Sequence, residues 1–289
     1  MRSKPSLRNK VKFGPLKLCL SLSIILFSSC GPFEPSYKEG EIPGAIIRIC
    51  AEEYKLNVAA KRVGQTLWVY VPVNGMVHWD PEKLLSFDQE FMEALRRAMT
   101  TVERVLLNAQ STPEFYILVI ADIKVGFGYT FTIYVPDVKK SHANYIPWPE
   151  AQSRYLKDIS MKIETLGDSD GKWINYYEMT LEKFLALQIA QRAETKFREG
   201  AQYNKNIHMP TVSGEYRNGI FKFTFDRQSD DPKKTGAMFD EIFEIAEYVL
   251  NSYEVKDFSS VDVSDIKSAR EMVKSREEIL ARKGKIWDR

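Results

Sequence analysis

The pattern that most constrains this chain is a change of hydrophobic period, met more than once along its length. Between Asp88 and Ala109 the residues Phe91, Leu95, Met99, Val102 and Leu106 recur at spacings of four and three, a single apolar stripe on a 3.6-residue helix. On either side the period drops to two. Leu56–Val63 and Thr66–Val73 flank Gly64-Gln65 as a hairpin with β-branched arms. Phe115–Ile123 and Tyr129–Val135 form a second, joined through residues 124–128, and Tyr129, Phe131, Ile133 and Val135 share one face. A helix with one apolar face has to bury it against something, and half-buried hairpins offer that surface.

The pattern then resumes. Lys157–Leu166 and Lys172–Glu178 flank Gly167–Gly171 as a third hairpin, and Leu181–Arg198 carries Leu181, Leu185, Ile189, Ala193 and Phe197 four apart. Thr211–Tyr216 and Gly219–Arg227 make a fourth hairpin around Arg217-Asn218, with Phe221, Phe223 and Phe225 on one side. Ile42–Tyr54 and Ala237–Ser252 read as helices, Val255–Val263 as an edge strand, and Ser264–Arg282 as a charged terminal helix capped by Ser264 and Asp265. Hairpin, helix, hairpin therefore appears at 56–135 and again at 157–227, without a matching residue signature. The expected class is α+β: antiparallel hairpins alternating with long amphipathic helices, in two similar lobes or as one continuous sheet with helices on one face. Ile146–Glu150, with two prolines, sets the lobes at 42–146 and 150–263, followed by a C-terminal helix at 264–289.

The first 41 residues do not belong to that body. Arg2, Lys4, Arg8, Lys10, Lys12 and Lys17 precede the apolar run Leu18–Phe27, which is about half the length a membrane-spanning helix needs. Phe27-Ser28-Ser29-Cys30-Gly31 follows, and this stretch resembles the lipobox of bacterial lipoproteins. The resemblance covers residues 1–31 only. It implies cleavage between Ser29 and Cys30, lipidation of Cys30, and a short tether over 30–41 (Gly31–Glu41 being rich in Pro, Gly and charge). Phe27 departs from the usual Leu of that motif. Gly31 lacks the Asp associated with inner-membrane retention, so the implied location is the cell envelope, at the outer membrane facing the periplasm where the host has two membranes.

Charge and cysteine usage change once this segment is set aside. The formal charge of the whole chain is +2, but residues 1–29 hold six Lys/Arg and no Asp/Glu, leaving the remainder at −4. Nucleic acid is therefore not an expected partner. With Cys19 removed and Cys30 lipidated, Cys50 stands alone, so no intramolecular disulfide is expected; a buried thiol on a helix is the plain reading.

Short motifs bearing on chemistry each have a structural explanation. Lys234-Thr-Gly236 and Ser264-Asp-Ile-Lys267 match elements of penicillin-binding serine acyl-transferases, but in reversed order. Asp168-Ser-Asp170-Gly171 lacks the first and twelfth ligands of an EF loop. His78, His142 and His208 are dispersed, and neither a metal site nor a cofactor is expected. One stretch stands out as a surface: Lys139, Lys140, His142, Tyr145 and Trp148 mix cations and aromatics in an expected interlobe loop, and Trp79 lies in a second apolar loop. These residues form the candidate interaction surface for glycan, lipid headgroups or a protein. The reading is a membrane-anchored, non-enzymatic interaction or assembly module with an envelope protein partner. Its alternatives are an envelope-polymer hydrolase using scattered carboxylates, or a lipid or small-ligand carrier.

Overall fold

The computed structural model describes residues 36–78, 86–161, 175–201, 211–226 and 232–281. The fold is α+β, with a five-stranded and a four-stranded mixed sheet. The chain begins with α1 (Ile42–Tyr54), then runs through β1 (Ala59–Val63), β2 (Thr66–Pro72), the short β3 (Val77–His78) and β4 (Ser86–Phe87), and α2 (Gln89–Leu107). Asp88 caps α2 by accepting the Glu90 N–H at 2.6 Å. Strands β5 (Phe115–Asp122) and β6 (Phe127–Tyr134) follow, then helices α3 (Val135–His142) and α4 (Trp148–Ser153) and strand β7 (Leu156–Ser160). The second half holds α5 (Leu181–Ala201), β8 (Thr211–Arg217), β9 (Ile220–Asp226), α6 (Pro232–Ser252), β10 (Ser260–Asp265), β11 (Arg270–Ser275) and α7 (Arg276–Ala281).

Sheet order is β1-β2-β5-β6-β7 in the first half and β11-β10-β9-β8 in the second. The hairpins are antiparallel as expected, but each central pair, β2 with β5 and β9 with β10, is parallel. The reason is topological: α2 and α6 are crossover helices, and such a connection returns the chain in the same direction. Helix, hairpin, crossover helix, hairpin therefore occurs twice, but its second copy starts at α5 and ends at β11. The expected copy at 157–227 was out of step. The Lys157 strand instead adds β7 to the edge of the first sheet, so that sheet extends past the boundary placed at 146–150. Residues 162–174, which carry the rest of the third hairpin and the Asp168–Gly171 motif, lie outside the described residues.

A residue signature does link the copies. Asn108, Phe115 and Asp122-Ile-Lys124 match Asn251, Phe258 and Asp265-Ile-Lys267 at identical spacing. Their roles match as well. Each Asn donates its side-chain amide to the carbonyl four residues back, and each Asp accepts the N–H two residues ahead to start the hairpin turn. That turn is why no helix spans 264–282. Asp265 also accepts the Ser268 hydroxyl, Ala269 takes a positive φ, and the chain reverses into β11. Among the described residues of this segment only Arg276–Ala281 is helical, with Ile279 buried, while Ile266 and Val273 face solvent. Likewise β10 is interior rather than an edge strand, and the β8–β9 turn sits on Asn218-Gly219, both at positive φ.

The two sheets differ in how they are covered. β2 and β5 are buried along nearly their whole length, on both faces. Leu67, Val69, Tyr116 and Leu118 pack on α1 and α2, while Trp68, Tyr70, Phe115 and Ile117 pack toward α5. In the second sheet Phe221, Phe223, Phe225, Val261 and Val263 are buried and their neighbours are not. One face there is wet. α5 lies between the sheets, with Phe184 against Phe115 and Ala186 against Gly214. One core thus runs continuously through both halves.

Candidate functional site

The cation–aromatic stretch folds as two short helices rather than a loop. Pro136 sits in the first turn of α3, where its missing N–H is not needed. Lys139, Lys140 and His142 occupy the last turn, beside the unpaired carbonyls. Asn144 then adopts a left-handed conformation, Tyr145 donates its N–H to the Lys140 carbonyl at 2.8 Å, and Pro147 leads into α4 at Trp148. The turn brings together five of the six residues named from sequence. Tyr145 is 81% exposed and Trp148 45%, and with His142 and Asn144 they border an open groove of about 380 Å³. Lys139 lies beyond it and donates to the Thr112 hydroxyl at 2.9 Å. Trp79, like Ser29 and Cys30, lies outside the described residues.

His142 is not a free surface imidazole. Its Nε2 lies 3.3 Å from Glu103 Oε2, and the buried Tyr116 hydroxyl donates to Glu103 Oε1 at 3.0 Å. A carboxylate oxygen accepts, so the contact suits the tautomer with its proton on Nε2. Burial is the main reason, and Glu103 a further one, that the Tyr116 phenol titrates well above its ordinary value. The dyad orients an imidazole at the rim of the groove.

Beneath α3 and α4 lies an ionic network that pins them to the second half. Arg154 donates from Nη1 to the fully buried Asp137 at 3.1 Å and from Nε to Glu150 at 2.9 Å. Tyr253 from the end of α6 donates to Asp137, and Tyr248 donates to Glu150 at 3.0 Å. Gln188 of α5 donates to the Arg154 carbonyl at 2.7 Å. Burial alone would raise the Glu150 carboxyl, but the Arg154 hydrogen bond and the Arg192 and Arg154 charges outweigh it and hold the carboxyl low. Burial would lower the Arg154 guanidinium, and Asp137 reverses that.

A second groove, of about 640 Å³, has Glu150 and Ser153 of α4 in its wall. It runs between β7 and helices α5 and α6, with Glu150, Lys157, Ile159, Arg192, Glu241 and Tyr248 among its walls. Two polar atoms on it, Arg192 Nε and Glu241 Oε1, are buried and have no hydrogen-bond partner among the described residues. Burial, with the Glu244 charge nearby, raises the Glu241 carboxyl against the pull of Lys196. Sequence reading missed this site. Arg192 and Glu241 sit on separate helices, and each reads alone as a solvated charge; no spacing or motif connects them.

The remaining motifs resolve structurally. Lys234–Gly236 lies within α6, and Ser264 closes a strand while Lys267 sits in the following turn, so the serine and lysine do not share a helix face. Glu53 pairs with Arg104, and Glu93 with Arg96 and Arg97. Cys50 is buried on α1, and burial pushes its thiol up. Among the described residues, no three His, Cys, Asp or Glu side chains converge as a metal site. No described helix is long and apolar enough to cross a membrane. The sequence matches no known family model, and no curated protein matches it.

Proposed function

We propose that this chain is an envelope lipoprotein, held to a membrane through lipid on Cys30, whose body is a non-enzymatic binding module for another envelope protein. The outer membrane, facing the periplasm, is the location in a host with two membranes. The observation that carries the binding role is the groove along β7. It presents a buried donor, Arg192 Nε, and a buried acceptor, Glu241 Oε1, each without a hydrogen-bond partner among the described residues. Unmet buried polar atoms cost about 1–3 kcal/mol apiece, and a polypeptide supplies both complements. The Tyr145–Trp148 projection across α4 is the second exposed surface.

Support for the anchor comes from the basic, acid-free start, the short apolar run and the Ser-Ser-Cys that ends it. Feeding cells an alkyne fatty acid tests it: the wild type should carry the label and Cys30→Ala should not. For the binding role, a photo-crosslinking residue at Lys157 should yield a discrete adduct in cells that Glu241→Lys abolishes. A crosslinker at Val273, on the far sheet, should not form it. Equal adducts from both positions would refute the groove as the binding surface. One observation favours a second reading, as a hydrolase: the Glu103–His142 dyad at the smaller groove. Turnover of cell-wall fragments by the wild type, lost in His142→Ala, would establish that reading over the first.

A further inference from the structure

The point where the tether joins the body constrains which face meets the bilayer. Ser36 and Tyr37 donate their N–H groups to the Asn108 carbonyl, and Gln110 donates to the Tyr37 carbonyl at 2.9 Å. Tyr37 and Ala109 thus form a parallel bridge at the C-terminal end of α2. From Cys30 to Ser36 there are six Cα steps, which span roughly 20 Å at most when fully extended. A lipid on Cys30 therefore keeps this end of the body within roughly 20 Å of the headgroups.

The cation–aromatic projection belongs to the same end. Lys139 bonds Thr112, which is only two residues beyond the Gln110 that pairs with Tyr37. His142 bonds Glu103, in the final turns of α2. Val135, the first residue of α3, donates to the Glu114 carbonyl. Three separate contacts thus seat α3 beside the tether junction, with two exposed lysines and, just beyond, the exposed Tyr145 and Trp148. Amphipathic aromatics beside lysines suit the boundary between acyl chains and charged headgroups.

Resting on the anchoring proposed above, we infer that the α3–α4 projection is a membrane-contact surface. Tyr145 and Trp148 enter the headgroup layer, and Lys139 and Lys140 meet anionic phospholipid. The lipid and this surface then form two attachments, which fix the orientation of the body. An anionic leaflet favours each nearby lysine by about fivefold in occupancy.

The test uses the full-length lipidated protein in vesicles of phosphatidylethanolamine and phosphatidylglycerol. An environment-sensitive fluorophore is placed at Tyr145→Cys, or at Val273→Cys on the outer strand of the second sheet; Cys50 is buried and stays unlabelled. The expected result is blue-shifted emission, quenched by brominated lipid, at 145 and not at 273. The ratio of docked to undocked protein should fall about fivefold for each of Lys139→Gln and Lys140→Gln. Protein that floats with the vesicles while the 145 probe reads water would overturn the inference and leave the anchor standing. A blue shift insensitive to brominated lipid would place position 145 against a second copy of the chain or against its own body instead, and also overturns it. Protein that does not float at all refutes the anchor, and this orientation falls with it.

Discussion

Gly214 is the position where a single methyl group tests the packing between the two sheets. It lies in β8 where α5 crosses, and a Cβ built on it would stand 2.4 Å from the Ala186 carbonyl oxygen and 2.9 Å from the Phe223 ring. Ordinary contact begins at 3.4 Å, so the helix backbone has to retreat by about 1 Å. It has no freedom to do so alone. Phe184, Leu185 and Ile189 on the same helix are fully buried in the shared core, and a gap of that size forfeits a quarter to a half of each dispersion contact it opens. Overpacking usually costs about 1–3 kcal/mol, and a clash with backbone rather than a pliable side chain belongs at the upper end. Gly214→Ala should therefore destabilise by about 2–3 kcal/mol, lowering the melting temperature by roughly 5–10 °C for a body of this size. The matched control is Gly44→Ala in α1, where an added Cβ meets nothing within 4 Å. There alanine should be neutral or stabilising by up to about 0.5–1 kcal/mol, because it reduces the freedom of the unfolded chain. Urea unfolding followed by circular dichroism reads both. A Gly214→Ala midpoint equal to that of the wild type would show that α5 does not press on β8 as described.

Three further outcomes follow from the same contacts. Arg154→Met leaves Asp137 buried without its ion pair and should cost about 3–5 kcal/mol in chemical denaturation; Asp137→Asn in the same chain should recover much of that loss. Asp122 and Glu241 should show opposite pH behaviour. Burial would raise the Asp122 carboxyl, but four backbone N–H groups (Met76, Val125, Gly75 and Lys124) hold it low. Its stabilisation is present above the unfolded value near 4 and is lost as pH falls through the folded value, so Asp122→Asn should flatten the acid limb of the stability profile. The raised Glu241 carboxyl destabilises the fold once pH rises past the unfolded value, so Glu241→Gln should raise the neutral-pH melting temperature. Cys50 should resist maleimide in the native protein and react only on unfolding, and rapid native labelling would contradict its burial.

Much of the local structure was legible because its causes are local. The stripe from Phe91 to Leu106 is the packed face of α2, and Phe221, Phe223 and Phe225 share one side of β9. The terminal segment was misread because Ile266, Met272, Val273 and Ile279 also fit a helical stripe. What decides against the helix is the Asp265 turn and a partner strand in β10, which the residues alone do not display. The duplicated Asn, Phe and Asp-Ile-Lys pattern was present in the sequence, but it became visible only when the true second copy put the two hairpins in register.

The candidate sites divide in the same way. Lys139, Lys140, His142, Tyr145 and Trp148 were recognisable as a surface because they are contiguous and because aromatics beside cations are unusual in a polar stretch. That His142 meets Glu103, and that Arg192 and Glu241 face one groove, depends on elements dozens of residues apart being folded together. By itself the sequence determined the α+β alternation, the hairpins, the long helices and the exposed projection, since hydrophobic period and turn chemistry act over a few residues. Only the tertiary structure decided the parallel central pairs, the burial of the first sheet on both faces and the convergence of Arg192 and Glu241 on the β7 groove. Those depend on crossover direction and long-range packing, which no local pattern encodes.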